Sequence, residues 1–253
     1  MPPEASVASA APSVVVDDLH VTYRVYEDVR PTLRKLVARG FRPRPHTDIH
    51  ALRGISFTAS AGEAIGVIGR NGSGKSTLMS SLAGLLPAAS GAVYAASQPV
   101  LLAVGAALQA ELSGRRNIII GASALGIARS RIVEQMDEII EFTGLRDSID
   151  RPLKTYSSGM AARLQFGIAS AVRPDILLID EALATGDAEF SRRSKRRIQE
   201  VVEEAGTVFI VSHSDETIAS MTQRVIWIDG GRIQFDGPTD EGLRRYAEAV
   251  SGP

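Results

Sequence analysis

Residues 69–77 read Gly-Arg-Asn-Gly-Ser-Gly-Lys-Ser-Thr, and their types and spacing suit the handling of a phosphate chain. A loop that wraps phosphate must bring backbone N–H groups close to oxygen atoms, and side chains obstruct that approach. Gly69, Gly72 and Gly74 remove the obstruction and permit unusual φ/ψ values. Asn71 and Ser73 complete the turn, Lys75 adds a point charge for the β/γ-phosphates, and the Ser76 hydroxyl can ligate Mg²⁺, with Thr77 following it. A helix starting near Lys75 directs its positive end at the anion. The bland reading is an ordinary Gly-rich turn between a strand and a helix.

Other residues can act on the same phosphate chain. The apolar run at residues 176–179 delivers two carboxylates, Asp180 and Glu181. Asp180 is placed to hold Mg²⁺ directly or through water, and Glu181 to act as general base on an attacking water. On its own, an Asp-Glu pair after a strand is more commonly a solvated loop; coupled to a phosphate loop it gains a role. A second apolar run, 208–211, leads to His213, which can donate to a terminal phosphate or serve structure alone. Tyr156 to Met160 precedes a helical stretch, with Ser157 or Ser158 as its N-cap. The same pentapeptide can equally form a second anion site from a hydroxyl, exposed N–H groups and a helix dipole.

The elements that must position these groups alternate between periods. Residues 14–16, 21–23, 55–58, 64–68, 91–96, 100–104, 176–179, 207–211, 224–228 and 232–235 carry β patterns. Helical spacing covers 76–86, most of 113–147, 158–172, 188–205 and 239–250. Gly230-Gly231 predicts a hairpin turn. Strands alternating with helices imply an α/β fold, a largely parallel sheet covered on both faces, with residues 105–160 as an inserted helical subdomain. Residues 24–50 are an odd segment. As far as Arg44 it holds seven Arg and Lys residues against Glu27 and Asp28, and Val29, Leu33, Leu36 and Val37 recur at helical spacing. It predicts either a basic amphipathic helix followed by a Pro-rich connection or a solvated surface insertion.

Composition narrows the classes. A formal net charge of -1 argues against a general nucleic-acid binder, and no nucleic-acid partner is expected. The absence of Cys excludes a disulfide framework and any thiolate metal site. No apolar run reaches the ~18 residues that a membrane span needs. Residues 1–13 are Ala/Pro/Ser-rich and predict a disordered leader without signal-peptide character, so the product is expected on the cytosolic side.

Together these pieces resemble the ATPase subunit of an ABC transporter, from Val14 almost to the end of the chain. The resemblance implies a RecA-like P-loop NTPase core at 14–238, with an antiparallel β subdomain and an inserted helical subdomain. It implies ATP and Mg²⁺ as cofactors. Residues 69–77 match the Walker A motif, 176–180 the Walker B motif, Glu181 the catalytic glutamate and His213 the switch histidine. Ser157 and Gly159 are kept from the family's Leu-Ser-Gly-Gly-Gln signature, which otherwise departs at three of its five places. Asp187 matches the D-loop aspartate, Tyr23 the aromatic that stacks on adenine, and Gln109 stands nearest the expected Q-loop glutamine, a Mg²⁺ ligand in the family.

Gly186-Asp187-x-x-Phe190, the stretch from Glu111 to Asn117 and the basic insertion are similar to the polysaccharide, O-antigen and teichoic acid exporter branch. That branch implies a peripheral subunit on the cytoplasmic face of the membrane. It would form a head-to-tail dimer on ATP and work with a polytopic permease on a lipid-linked glycan. Residues 239–253 are expected as a closing helix, without the carbohydrate-binding domain that some such exporters add. Other readings remain: an importer or multidrug ATPase, a soluble ABC ATPase acting on DNA or ribosomes, or an unrelated P-loop kinase or switch NTPase. The Gly-Asp-x-x-Phe pattern and the insertion weigh against the first. The absence of a second cassette or coiled-coil insertion weighs against the second, and Glu181, His213 and the signature-position segment against the third.

Overall fold

Continuous apolar runs become buried central strands in the computed structural model, which describes residues 11–26, 46–102, 108–180, 188–212 and 214–251. Strands β3 (Ala64–Ile68), β6 (Ile176–Ile179) and β7 (Thr207–Val211) are buried at every position. This is the pattern of a parallel sheet covered on both faces. With β5 (Val100–Leu102), β8 (Arg224–Asp229) and β9 (Arg232–Pro238) they form a six-stranded sheet in the order β5-β6-β7-β3-β8-β9. Its pairings are parallel except that between β8 and β9, the hairpin expected at Gly230-Gly231.

A second sheet is antiparallel, with β1 (Pro12–Tyr26) between β2 (His46–Ser60) and β4 (Ser90–Ala95). Two segments expected as separate strands, 14–16 and 21–23, belong to one strand. The register shifts between Val16 and Leu19, and Asp18 takes a φ of 43° there. This bulge moves the buried side chains from Val14 and Val16 to Leu19 and Val21, so simple alternation is lost while the face is kept. The insertion's bounds also need correction. Arg24 to Tyr26 continue β1 and His46 to His50 begin β2, held by the Arg24–Asp48 ion pair at 3.6 Å and by Tyr26 against the His46 ring at 5.8 Å. The amphipathic stretch from Val29 to Arg44 lies outside the described residues.

Helix α1 (Lys75–Leu82) follows β3 and packs Leu78, Met79 and Leu82 into the core between the two sheets. It ends four residues before the expected 86. Gly84, at φ 72°, donates to Ser81 O, and Leu85 N donates to Ser80 O at 2.9 Å, a Schellman turn that consumes the last carbonyls. Helices α2 (Gly114–Ala124), α3 (Arg129–Thr143) and α4 (Ser158–Ala169) share a separate core that includes Ile118, Ile132, Ile140, Leu164 and Ile168. Helix α4 also turns Phe166 and Ala169 toward the main sheet, so it belongs to both layers. It stops at Ala169, short of the expected 172.

The far face of the sheet is covered by α5 (Ala188–Glu204), α6 (Asp215–Met221) and α7 (Thr239–Ser251). The short α6 has no counterpart in the sequence reading. At the sheet's lower end Arg224 holds the layers together: it donates to Thr58 O at 2.8 Å and pairs with Glu63 and Asp236. Its hydrogen bond to Asp236 raises the guanidinium's pKa above the ordinary value against the opposing effect of burial. Among the described residues no helix is long and apolar enough to cross a membrane.

Candidate nucleotide site

Strand β3 ends at Ile68, and the chain turns through Gly69 to Gly74 into α1. Gly69 has φ 148°; a Cβ there would run into the Ile228 carbonyl oxygen and lie 2.7 Å from Ser73 Oγ. Gly74 has φ 114°, and a Cβ would meet Ala51 O at 2.8 Å and Leu52 Cδ2 at 2.9 Å. Glycine is therefore required at both ends of the loop by conformation and by space. Lys75 is 7% exposed and folds back over the loop, donating through Nζ to Gly69 O at 2.7 Å and Arg70 O at 3.0 Å.

The β8–β9 hairpin braces this loop. Gly231 N donates to Ser73 O at 3.0 Å, and Arg53 N on β2 donates to Gly231 O at 2.8 Å. A Cβ on Gly231 would lie 2.5 Å from Ala51 O, so three backbones meet where no side chain fits. The sequence reading gave Gly231 only a turn. The signal for more was a glycine pair where one suffices for a hairpin.

In front of the loop lies a cleft of about 440 Å³. It receives Tyr23, Asn71, Gly72, Gly74, Lys75, Ser76, Thr77 and Asp180 from the residues singled out by sequence, with Gly69 and Ser73 behind them in the loop. Tyr23, 38% exposed, stands in hydrogen-bonding range of Thr77, with its Oη 3.3 Å from Thr77 Oγ1. Ile49, the cross-strand partner of Tyr23, and His50, Ala51 and Arg53 add a wall from β2 that sequence reasoning missed. The strand's alternation gave no sign of which face would meet the loop.

Three of the expected residues lie elsewhere. Ser157 caps α4, its Oγ accepting from Met160 N at 3.2 Å, and Gly159 in the first turn is exposed, with room for a Cβ 3.9 Å from Ser157 Oγ. Neither lines the cleft. Gln109, expected as a Mg²⁺ ligand, is exposed and also lies outside the cleft lining. Its backbone is bound to Asn117, which is 1% exposed. Asn117 Nδ2 donates to Gln109 O, Leu112 O and Ser113 O, and Asn117 Oδ1 accepts from Gln109 N at 2.7 Å. Glu181, Asp187 and His213 fall outside the described residues.

Asn117 thus shapes the whole turn before α2. Asn117→Ala is expected to lower stability by about 2 kcal/mol in urea unfolding. It should also speed amide exchange at Gln109 while the Lys75 loop keeps its protection. Unchanged exchange at Gln109 would show that the turn holds itself.

The stretches that resemble the exporter branch have visible structural work. Phe190 is buried and forms a ring triangle with Phe142 and Phe166, centroids 5.7 and 5.8 Å away, joining α5 to α3 and α4. Glu111 pairs with Lys154 at 2.6 Å and Arg115 with Asp150 at 2.9 Å, tying the start of α2 to the approach to α4. The Arg115 hydrogen bond holds the Asp150 carboxyl below its usual range. Tyr156 Oη donates to Ser148 O at 2.7 Å, and burial pushes the phenol's pKa up, which keeps the donor proton in place.

A glycine-shaped loop at the carboxyl end of a parallel strand, with a helix N-terminus behind it and a carboxylate after a second strand of the same sheet, defines a P-loop nucleotide-binding protein. Residues 52–184 match the family model described as ABC transporter, slightly more than half of the chain. An O-antigen export system ATP-binding protein of Klebsiella pneumoniae is 35% identical over 94% of this chain and 99% of its own. One from Myxococcus xanthus is 42% identical over 80% of this chain, which spans only 47% of that relative's length. A teichoic acids export ATP-binding protein of Levilactobacillus brevis is 39% identical over 90% of this chain and 63% of its own. This chain belongs to the ABC transporter family. The solved structure of an ATP-binding cassette, dimeric in a post-hydrolysis state with ADP and Pi, superposes with a TM-score of 0.67 at 18% identity. It covers 89% of this chain and 98% of its own, a likeness of fold.

Proposed function

We propose that this chain is the ATP-hydrolysing subunit of an ABC exporter. It would power movement of a lipid-linked polysaccharide or glycan across the cytoplasmic membrane through a separate transmembrane subunit. The observation that carries this reading is the cleft where the phosphate loop, Tyr23 and Asp180 meet, in a chain aligned along almost the whole of an O-antigen export ATP-binding protein. Ser73 Oγ is buried without a hydrogen-bond partner among the described residues, which suits a phosphate. Ser76 and Asp180 give the cleft two oxygen donors suited to Mg²⁺, which leaves the remaining ligand positions to phosphate and water. When bound, Mg²⁺ would neutralise charge developing on the phosphates.

In this reading Tyr23 stacks on the adenine and Lys75 faces the β/γ-phosphates. Glu181 takes a proton from the attacking water, His213 donates to the γ-phosphate, and Asp187 belongs to the dimer contact. Ser157 and Gly159 stand exposed at the start of α4, away from their own cleft, which suits a head-to-tail dimer in which they complete the partner's site. The chain would sit on the cytoplasmic face of the membrane, bound to its permease.

Glu181→Gln keeps the shape of the side chain and removes the base. It is expected to retain ATP binding, lose hydrolysis by about 10²- to 10⁴-fold and elute as an ATP-dependent dimer in size-exclusion chromatography. A strain carrying only this variant should accumulate lipid-linked glycan inside the cell. Turnover near that of the unmodified protein would remove Glu181 from the role of base. Normal export would remove the glycan reading.

A further inference from the structure

The cleft holds a cation that the nucleotide reading has not used. Arg53 lies on β2, four residues beyond Ile49, and lines the cleft with Lys75. Its backbone N–H is spent on Gly231 O, which fixes the strand beside the phosphate loop. Its side chain is exposed and makes one hydrogen bond, from Nε to His50 O at 3.2 Å. Among the described residues no carboxylate pairs with it. The other guanidinium N–H groups meet no acceptor among the described residues, in a cleft suited to an anion. Several other arginines among the described residues do pair: Arg224, Arg197, Arg115 and Arg173 each bond at least one acid.

Tyr23 stands 3.3 Å from Thr77, Lys75 is folded over the loop beside Gly69, and Asp180 lines the cleft after β6. Arg53 is tied through Gly231 to Ser73, in the middle of the loop. Resting on the nucleotide reading above, we propose that Arg53 is a second phosphate-binding cation, contacting the phosphates that ADP and ATP share. The bond to His50 O holds the guanidinium toward the cleft, and its planar fork can give two parallel N–H bonds to phosphate oxygens. Because the contact persists after hydrolysis, Arg53 would set retention of ADP as well as capture of ATP.

The test is calorimetric titration of the full chain with ATP and, separately, with ADP. Arg53→Met keeps the apolar stem and removes the charge. It should raise both dissociation constants about tenfold and flatten their dependence on salt. Arg53→Lys should recover part of the loss. The urea midpoint should not move, since the side chain is exposed and makes a single backbone bond. Unchanged affinity for both nucleotides would overturn the proposal, as would a loss confined to ATP, which would place the guanidinium at the γ-phosphate. An unmodified chain that bound neither nucleotide would instead overturn the nucleotide reading itself.

Discussion

Lys75→Ala will leave a folded protein with ATP hydrolysis reduced by about 10²- to 10³-fold, the usual cost of removing one preorganised donor from a charge-stabilising site. The ammonium is almost buried and donates to Gly69 O and Arg70 O, so its position is fixed by the loop it serves. Phosphoryl transfer to water asks the protein for positioning and for cancellation of negative charge. Alanine removes the charge and leaves two carbonyls of the loop without that donor. Lys75→Arg should not restore activity, because a planar guanidinium cannot occupy the space of a compact ammonium held between two carbonyls. Steady-state hydrolysis measured beside the urea midpoint separates the two consequences. Rescue by arginine would mean that charge alone matters there.

Gly69→Ala should act through the fold. At φ 148° an L residue is strained, and the new methyl would strike the Ile228 carbonyl at the end of β8. Either the loop lifts from the sheet or β8 shifts away from β3, and both are costly. We expect a loss of at least about 3 kcal/mol in stability, the scale of a serious backbone conflict, and no measurable nucleotide binding by the fraction that folds. Gly72→Ala is the control. Gly72 also has positive φ, but a Cβ there meets nothing within 4 Å, so its cost should be confined to backbone strain. Equal losses from the two substitutions would show that space around Gly69 is not the cause.

What was legible in the sequence was what is encoded locally. The phosphate loop and its flanking strand and helix are contiguous, and each residue type is tied to its neighbours by spacing. The buried parallel strands were equally plain, because burial on both faces makes every position apolar. What was hidden depends on distant backbone. The clamp of Ser73, Gly231 and Arg53 is made by main-chain atoms, and only the doubled glycine hints at it. Strand β1 was broken in two because its bulge at Asp18 resets the alternation. Helix α6 was missed because seven residues give too little periodicity to detect. Gln109 was named for a metal only by resemblance to a family position. In the structure Asn117, eight residues further on, binds its backbone, and Gln109 is not among the residues that line the cleft.

The outer part of β1 and β2 carries one more consequence. Strand β4 accompanies β1 only from Val14 to His20; from Thr22 to Tyr26 the two strands run on as a ribbon, to the points where the chain leaves for residues 27–45 and returns. The ribbon is a cantilever. Its root is anchored where Arg53 meets the hairpin, and Tyr23 and Ile49 stand just outside that anchor, at the cleft. Its last described pair, Tyr26 and His46, lies three residues past Tyr23, about 10 Å further on. A base stacked on Tyr23, as proposed above, would load the beam near its root, and a tilt of about 10° there would carry the tip by about 2 Å. The arrival of a nucleotide would then be felt, as displacement, at Tyr26 and His46, where the chain leaves for residues 27–45 and returns.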